Sequence, residues 1–233
     1  MARIMQNVRG LFITGTDTDV GKTYVGAAMA RALVAEGRRV GVYKPAASGC
    51  HPQDGQLVAD DAVALWNAAG RPGELDRVCP QRFMAPVAPH LAARAEGRPF
   101  DWDLLRHGLD YWCERSDLVL VEGAGGLMSP FGEQRCVADL AEAFGFPLII
   151  VSRNVLGTIN QTVQTLIAAG TFGRGLPVAG IVLNQPSPPK ADDVSLATNR
   201  QELAVRSRVP ILAELRWRSD RFDMAVDWFA LAR

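Results

Sequence analysis

The sequence carries no excess of charge of either sign: 25 Lys and Arg stand against 25 Asp and Glu. Without a basic field nothing concentrates nucleic acid or an anionic membrane around the chain, so neither is expected as a partner. Long apolar runs are missing too. No stretch approaches the roughly 18 to 20 apolar residues of a membrane span. The first residues, Met-Ala-Arg-Ile-Met-Gln-Asn-Val-Arg, hold no apolar segment long enough for a signal peptide. Metal-ligating side chains are few and scattered. Cys50, Cys79, Cys113 and Cys136 lie about thirty residues apart, without the close pairs that zinc sites and redox motifs use. They read as scattered reduced thiols of a cytosolic protein. His51, His90 and His107 fall at no ligand spacing either, which argues against a catalytic zinc. No repeat, low-complexity tract or interdomain linker divides the 233 residues. The chain is expected to form one domain over residues 1–233, large enough to bury a full core.

What is present is organised around Gly15-Thr-Asp-Thr-Asp-Val-Gly21-Lys22-Thr23. The apolar run Leu11-Phe-Ile-Thr14 precedes it and a helical stretch from Tyr24 to Glu36 follows. Strand, Gly-containing loop and helix, in that order, is the context of a phosphate-binding loop. Successive loop N–H groups and the helix N-terminus make a concavity for anions. Lys22 can reach β- and γ-phosphates, and the Thr23 hydroxyl is placed to ligate Mg²⁺. Five residues rather than four separate Gly15 from Gly21, and Thr16 stands where the first glycine is usual. The alternative is a strand–turn–helix crossover whose glycines only relieve backbone strain.

Patterning predicts strand 11–15, then helix 22–36 closed by Gly37, then a short strand over 38–45 ending at Lys44 and Pro45. Residues 46–57 read as a loop rich in turn formers, followed by a helix with Asp60 as N-cap. The prolines at 72, 80, 86, 89 and 99 leave room only for short helices, including 90–96. Asp101 caps a helix over 102–115 with an apolar stripe of Leu104, Leu105, Leu109 and Trp112. Strands are then expected at 117–121, 148–151, 178–183 and 209–213, and helices near 137–144, 158–169 and 192–206. A last helix begins after Asp220. Helices alternating with apolar strands that lack period-2 patterning imply an α/β fold. It is a single doubly wound, mostly parallel sheet covered on both faces, of the P-loop NTPase type.

In such a sheet ligands bind beyond the carboxyl ends of the strands. Lys22, Lys44, Glu122, Ser152 and Asn184 all fall there. Glu122 is placed like the second Mg²⁺ carboxylate of phosphate-loop enzymes, or faces solvent at a strand end. Asp61 is a third oxygen ligand or an acid favoured by a helix dipole. Lys44 is a solvated lysine, or it joins Lys22 around a transferring phosphoryl group. Ser48 bonds substrate or caps a turn. Gly157-Thr158-Ile-Asn160 opens a helix with Thr158 as N-cap, and that N-terminus doubles as a carboxylate site. Asn184 and Gln185 end a strand opposite the loop, where an amide could read an adenine edge.

Several stretches together resemble the dethiobiotin synthetase family. They are the loop at 15–23, Tyr-Lys-Pro-Ala-Ala-Ser-Gly at 43–49, Asp61-Ala-Val-Ala-Leu, Ala88-Pro-His-Leu-Ala-Ala and Glu96-Gly-Arg-Pro. Leu120-Val-Glu-Gly-Ala-Gly-Gly-Leu, Leu156-Gly-Thr-Ile-Asn and Gly180-Ile-Val-Leu-Asn184 continue the match, which spans residues 11 to about 215. The five-residue loop spacing is what this family uses. The resemblance implies that 7,8-diaminononanoate, CO₂ and MgATP give dethiobiotin, ADP and phosphate through a carbamate and a carbamic–phosphoric mixed anhydride. It assigns Mg²⁺ to Thr23, Asp61 and Glu122, and charge stabilisation to Lys22 and Lys44, with Thr18 beside them in the catalytic set. It puts the nucleotide against Asp19, Val20, Gly21, Lys22, Thr23 and Tyr24. Glu122, Gly123, Gly125, Gly126, Asn184 and Gln185 complete the nucleotide contacts. The diamine or its carbamate falls to Ser48, and the substrate carboxylate to Leu156, Gly157, Thr158 and Asn160 across a homodimer interface in the cytoplasm. The family's Gly-Glu-hydrophobic-Pro pattern is replaced here by Ala213-Glu-Leu-Arg216-Trp217, which leaves the base contacts open. Two other readings share the loop style. A cobyrinate-type amide ligase would carry an appended glutaminase domain, for which 233 residues leave no room. A partitioning-type ATPase switch would place an extra lysine early in the loop, where Thr16, Asp17 and Thr18 stand.

Overall fold

A computed structural model describes residues 8–188 and 193–233. Its centre is β1 (Arg9–Gly15), where Leu11, Phe12 and Ile13 are consecutive and all fully buried. Burial without alternation requires cover on both faces, which only an interior parallel strand has. The helix α1 (Lys22–Ala35) leads to β2 (Val40–Tyr43). After it come the two-residue β3 (Ala46–Ala47), β4 (His51–Gln53) and β5 (Gln56–Val58). Next are α2 (Asp60–Ala68), α3 (Leu75–Val78), β6 (Gln81–Arg82), α4 (Pro89–Ala95) and α5 (Trp102–Cys113). The second half alternates strictly: β7 (Leu118–Gly126), α6 (Val137–Phe144), β8 (Leu148–Arg153), α7 (Thr158–Thr171) and β9 (Val178–Asn184). It closes with α8 (Ser195–Arg206), β10 (Ile211–Leu215) and α9 (Trp228–Leu231).

Six strands form one parallel sheet in the order β10-β9-β8-β1-β7-β2. Helices cover both faces, so the doubly wound α/β fold read from the pattern is the observed one. The register between β1 and β7 is even through Ile13 opposite Glu122, then shifts so that Gly15 meets Gly126. That shift lays the glycine run of β7 directly against the start of the phosphate loop. A Cβ on Gly126 would stand 3.4 Å from the Gly15 carbonyl oxygen, so the backbones touch.

Several local expectations are corrected. Residues 46–58 contain the β4–β5 hairpin and β3, which pairs with β6, where a loop over 46–57 was expected. Turn residues were visible there, but three-residue strands carry too little periodicity to be seen. The N-cap of α2 is Ala59, not Asp60, which lies in the helix's first turn. Gly157, with φ +97°, caps α7, while Thr158 is its first residue and is fully buried. Asp101 does cap α5, accepting from the Leu104 amide at 2.9 Å. Leu104 itself is exposed, so the buried stripe is Leu105, Leu109, Trp112 and Cys113. Residue 192, expected to start a helix, lies outside the described residues, and α8 begins at Ser195. The C-terminal helix is only the four residues of α9. Among the described residues, no helix is long and apolar enough to cross a membrane.

Candidate active site

The carboxyl ends of β1, β2 and β7 open onto a cavity of about 790 Å³. Gly21 adopts φ +89°, a backbone that L side chains rarely take, and a Cβ there would collide with the Asn184 amide nitrogen at 2.0 Å. The chain can therefore turn tightly into α1, whose N-terminus has no side-chain cap. Uncapped N–H groups at a helix N-terminus favour an anion. Lys22 is 7% exposed, and its ammonium donates to the Asp17 carbonyl at 3.1 Å. Burial, and then the nearby Lys44, lower its pKa below the usual lysine value.

Lys44 is not the solvated lysine its type suggests; it is 3% exposed. Its ammonium lies 2.5 Å from Glu122 Oε1 and 2.9 Å from Asp61 Oδ2, and donates to the Gly123 carbonyl at 3.3 Å. Burial works against its charge, but Glu122 and Asp61 outweigh burial, so its pKa lies above the usual lysine value. Lys44, followed by burial acting the other way, holds the Asp61 carboxyl below the ordinary aspartate value. The Thr23 hydroxyl donates to Glu122 Oε1 at 2.8 Å. The second Glu122 oxygen is buried without a hydrogen-bond partner. A hydroxyl and two carboxylates of this kind are hard oxygen donors. Together with the unpartnered Oε2 they fit Mg²⁺, which is commonly held by one or two carboxylates plus phosphate oxygens.

Of the residues singled out from sequence, Thr18, Asp19, Gly21, Lys22, Thr23, Tyr24, Lys44, Ser48, Asp61, Glu122 and Gly125 line this one cavity. The others sit around it differently. Val20 is 1% exposed with its side chain in the core, so only its backbone is available to a nucleotide. Asn184 is fully buried and props the loop, donating to the Val20 carbonyl at 2.8 Å while its Oδ1 has no partner. Gln185 and Leu156 line a separate cavity of about 260 Å³. Leu156 and Asn160 are exposed at the start of α7, where Thr158 is tied inward to Ser152.

Sequence reasoning assigned no role to the rim: Pro86, Val87, Ala88 and Pro89 on one side, Ser129 and Pro130 on the other. The first side is shape-giving, and the proline density at 80–99 was its one signal; on the other, the Ser129 hydroxyl accepts from the Gly126 amide at 2.8 Å. Sequence reasoning also passed over Arg153, whose guanidinium reaches the Thr18 and Asp19 carbonyls at 3.4 and 3.0 Å.

Comparison with known proteins follows the same lines. A family described as an AAA domain matches residues 9–223. A protein of Rhodopirellula baltica named ATP-dependent dethiobiotin synthetase is 42% identical over 216 residues, covering 88% of this chain and 83% of that one. The chain belongs to the dethiobiotin synthetase family. Relatives of the same name in Anaeromyxobacter dehalogenans and Anoxybacillus flavithermus are 43% and 39% identical. They cover 91% and 89% of this chain, and 92% and 91% of their own length. With five residues between Gly15 and Gly21, the loop closes on β7 through glycine backbone, Gly126 packing against the Gly15 carbonyl.

Proposed function

We infer that this chain closes the ureido ring of dethiobiotin, joining 7,8-diaminononanoate and CO₂ at the expense of ATP and releasing ADP and phosphate. The observation that carries this reading is the pair of buried lysines, Lys22 and Lys44, at one cavity with an uncapped helix N-terminus and a cluster of hard oxygen donors. One amine of the substrate adds to CO₂ to form a carbamate. A carbamate oxygen takes the γ-phosphoryl group from ATP, and ADP leaves. The second amine attacks the carbonyl of this mixed anhydride, losing a proton as phosphate departs and the ring closes. Each stage needs negative charge held in place rather than a protein nucleophile. Lys44 remains cationic while buried, so it can face a carbamate or phosphoryl oxygen without drifting into water. Lys22, with its lowered pKa, ends the phosphate loop as the first residue of α1. Thr18 and Ser48 are assigned to the same set, Ser48 towards the diamine. Thr23, Asp61 and Glu122 would hold Mg²⁺, which would supply further charge neutralisation at the transferring phosphoryl group. Asp19, Val20, Gly21 and Tyr24 would contact the nucleotide together with Gly123, Gly125 and Gly126. Asn184 and Gln185 would serve the base.

Leu156, Gly157 and Asn160 are assigned to the substrate carboxylate, with Thr158, whose hydroxyl and amide are engaged by Ser152 and the Val155 carbonyl, holding the turn beneath them. They do not line the main cavity, which supports a site completed by a second copy of the chain. Leu156 is 85% exposed and Ile167, on α7, is 61% exposed, apolar surface of the kind an interface covers. On this reading the protein is a cytoplasmic homodimer whose protomer is one domain spanning residues 1–233.

The test is phosphate release from MgATP and bicarbonate, with and without 7,8-diaminononanoate. Release that depends on the diamine, with dethiobiotin formed in step, is the expected result. Hydrolysis indifferent to the diamine would point instead to a nucleotide switch.

A further inference from the structure

For loop amides to be free for a phosphate, the loop's carbonyls need donors elsewhere. In this chain four successive carbonyls are taken by side chains. Asp17 O receives Lys22, Thr18 O and Asp19 O receive Arg153, and Val20 O receives Asn184. Lys22 belongs to the loop itself, whereas Arg153 and Asn184 come from the ends of β8 and β9. Arg153 holds the most demanding part. Asp19 adopts φ +56°, a left-handed backbone that non-glycine residues take up uncommonly, aspartate more readily than most. Such a conformation persists only where the surroundings over-determine it. A single guanidinium nitrogen, Nη2, serves both neighbouring carbonyls, the Asp19 contact being the shorter. The strand under Arg153 is itself anchored: Ser152, fully buried, shares hydrogen bonds with Thr158 and Thr162 of α7 at 2.7 and 2.8 Å.

We propose that Arg153 is a positioning residue for the phosphate loop, acting through the Thr18 and Asp19 carbonyls to set the loop in its phosphate-binding shape. The proposal rests on the nucleotide reading of the loop, and deepens it by naming what holds the loop's longer, glycine-poor segment. Arg153 makes no claim on the substrate; its effect passes through Thr18 and Asp19.

The deciding measurement is ADP affinity by titration calorimetry with Mg²⁺ present, for the full-length wild type, Arg153→Met and Arg153→Lys, with urea unfolding of each. Misplacing binding groups by about 1 Å costs on the order of a hundredfold in rate, so a loosened loop is expected to show clearly. Arg153→Met is expected to bind ADP about tenfold more weakly, with an unfolding midpoint matching wild type. Arg153→Lys, which keeps one charged donor, is expected to recover part of the loss. Unchanged ADP affinity in Arg153→Met would overturn the proposal. So would a loss that tracks a lowered unfolding midpoint and is not rescued by lysine. Because ADP binding needs no diamine, a wild type that binds ADP but forms no dethiobiotin would count against the assigned reaction and leave the Arg153 comparison intact.

Discussion

Lys44 shows how one buried residue ties the site to the stability of the fold. Its amine, 3% exposed, meets Glu122 at 2.5 Å, and Glu122 is 1% exposed. Breaking a buried pair by removing one partner costs about 3–5 kcal/mol, because the other charge stays behind unpaired. Lys44→Met is therefore expected to abolish turnover and also to lose roughly 3 kcal/mol of stability at pH 7 by urea unfolding. The double variant Lys44→Met with Glu122→Gln is expected to regain most of that stability and none of the activity. The pH dependence has a definite sign. Burial already pushes the Glu122 carboxyl above its ordinary value of 4.5, and without Lys44 that push is unopposed by its strongest partner. Protonation then relieves the single variant, so its deficit should shrink as pH falls from 7 towards 4.5. A deficit equal at both ends would sink the account. In the wild type, the contribution of Lys44 is present below the ordinary lysine value of 10.5. It is lost only as pH rises through the higher folded-state value.

At the scale of elements, β8 joins two parts of the molecule that lie far apart in sequence. Ser152 Oγ hydrogen-bonds Thr158 and Thr162 in the first turns of α7 and lies 3.4 Å from Thr16 in the phosphate loop. Ser152→Ala would leave buried threonine hydroxyls short of a partner, at a cost of about 1–3 kcal/mol. The variant is expected to unfold at lower urea, and amide exchange should accelerate first at the start of α7. Unfolding like wild type would mean that the two threonines satisfy each other without the serine. The same anchoring explains why Thr158 does not cap α7: its hydroxyl is engaged inward, and Gly157 takes the left-handed cap position.

At the scale of the whole molecule, one parallel sheet sends all its loops of consequence to a single edge, while α7 and its approach leave Leu156 and Ile167 exposed. If a second copy covers that surface, scattering in solution will give about twice the chain mass of 25.2 kDa. Ile167→Glu will then shift the protein towards monomer and raise the KM for the diamine, with ADP affinity unchanged. A wild type that stays monomeric at micromolar concentration would refute the shared site.

Local chemistry in the chain determined a good deal by itself. Strand, loop, Gly21-Lys22-Thr23 and helix are contiguous, so their spacing marks a phosphate-binding loop before any distant residue is considered. Apolar strands without alternation encode a sheet buried on both faces, and the carboxyl-edge rule then collects Lys22, Lys44, Glu122, Ser152 and Asn184. Tertiary structure alone decided the rest, because burial and charge pairing depend on neighbours brought in from far along the chain. Lys44 became a buried lysine held charged by two carboxylates only when β2 lay beside β7 and α2 delivered Asp61. Asn184, expected from sequence to read a base, props the loop because β9 ends behind Val20. Arg153, an ordinary strand-end arginine in sequence, gained its place through two carbonyls more than 130 residues away. A side chain's type is written in the chain, but its solvation and its partners are properties of the packed fold.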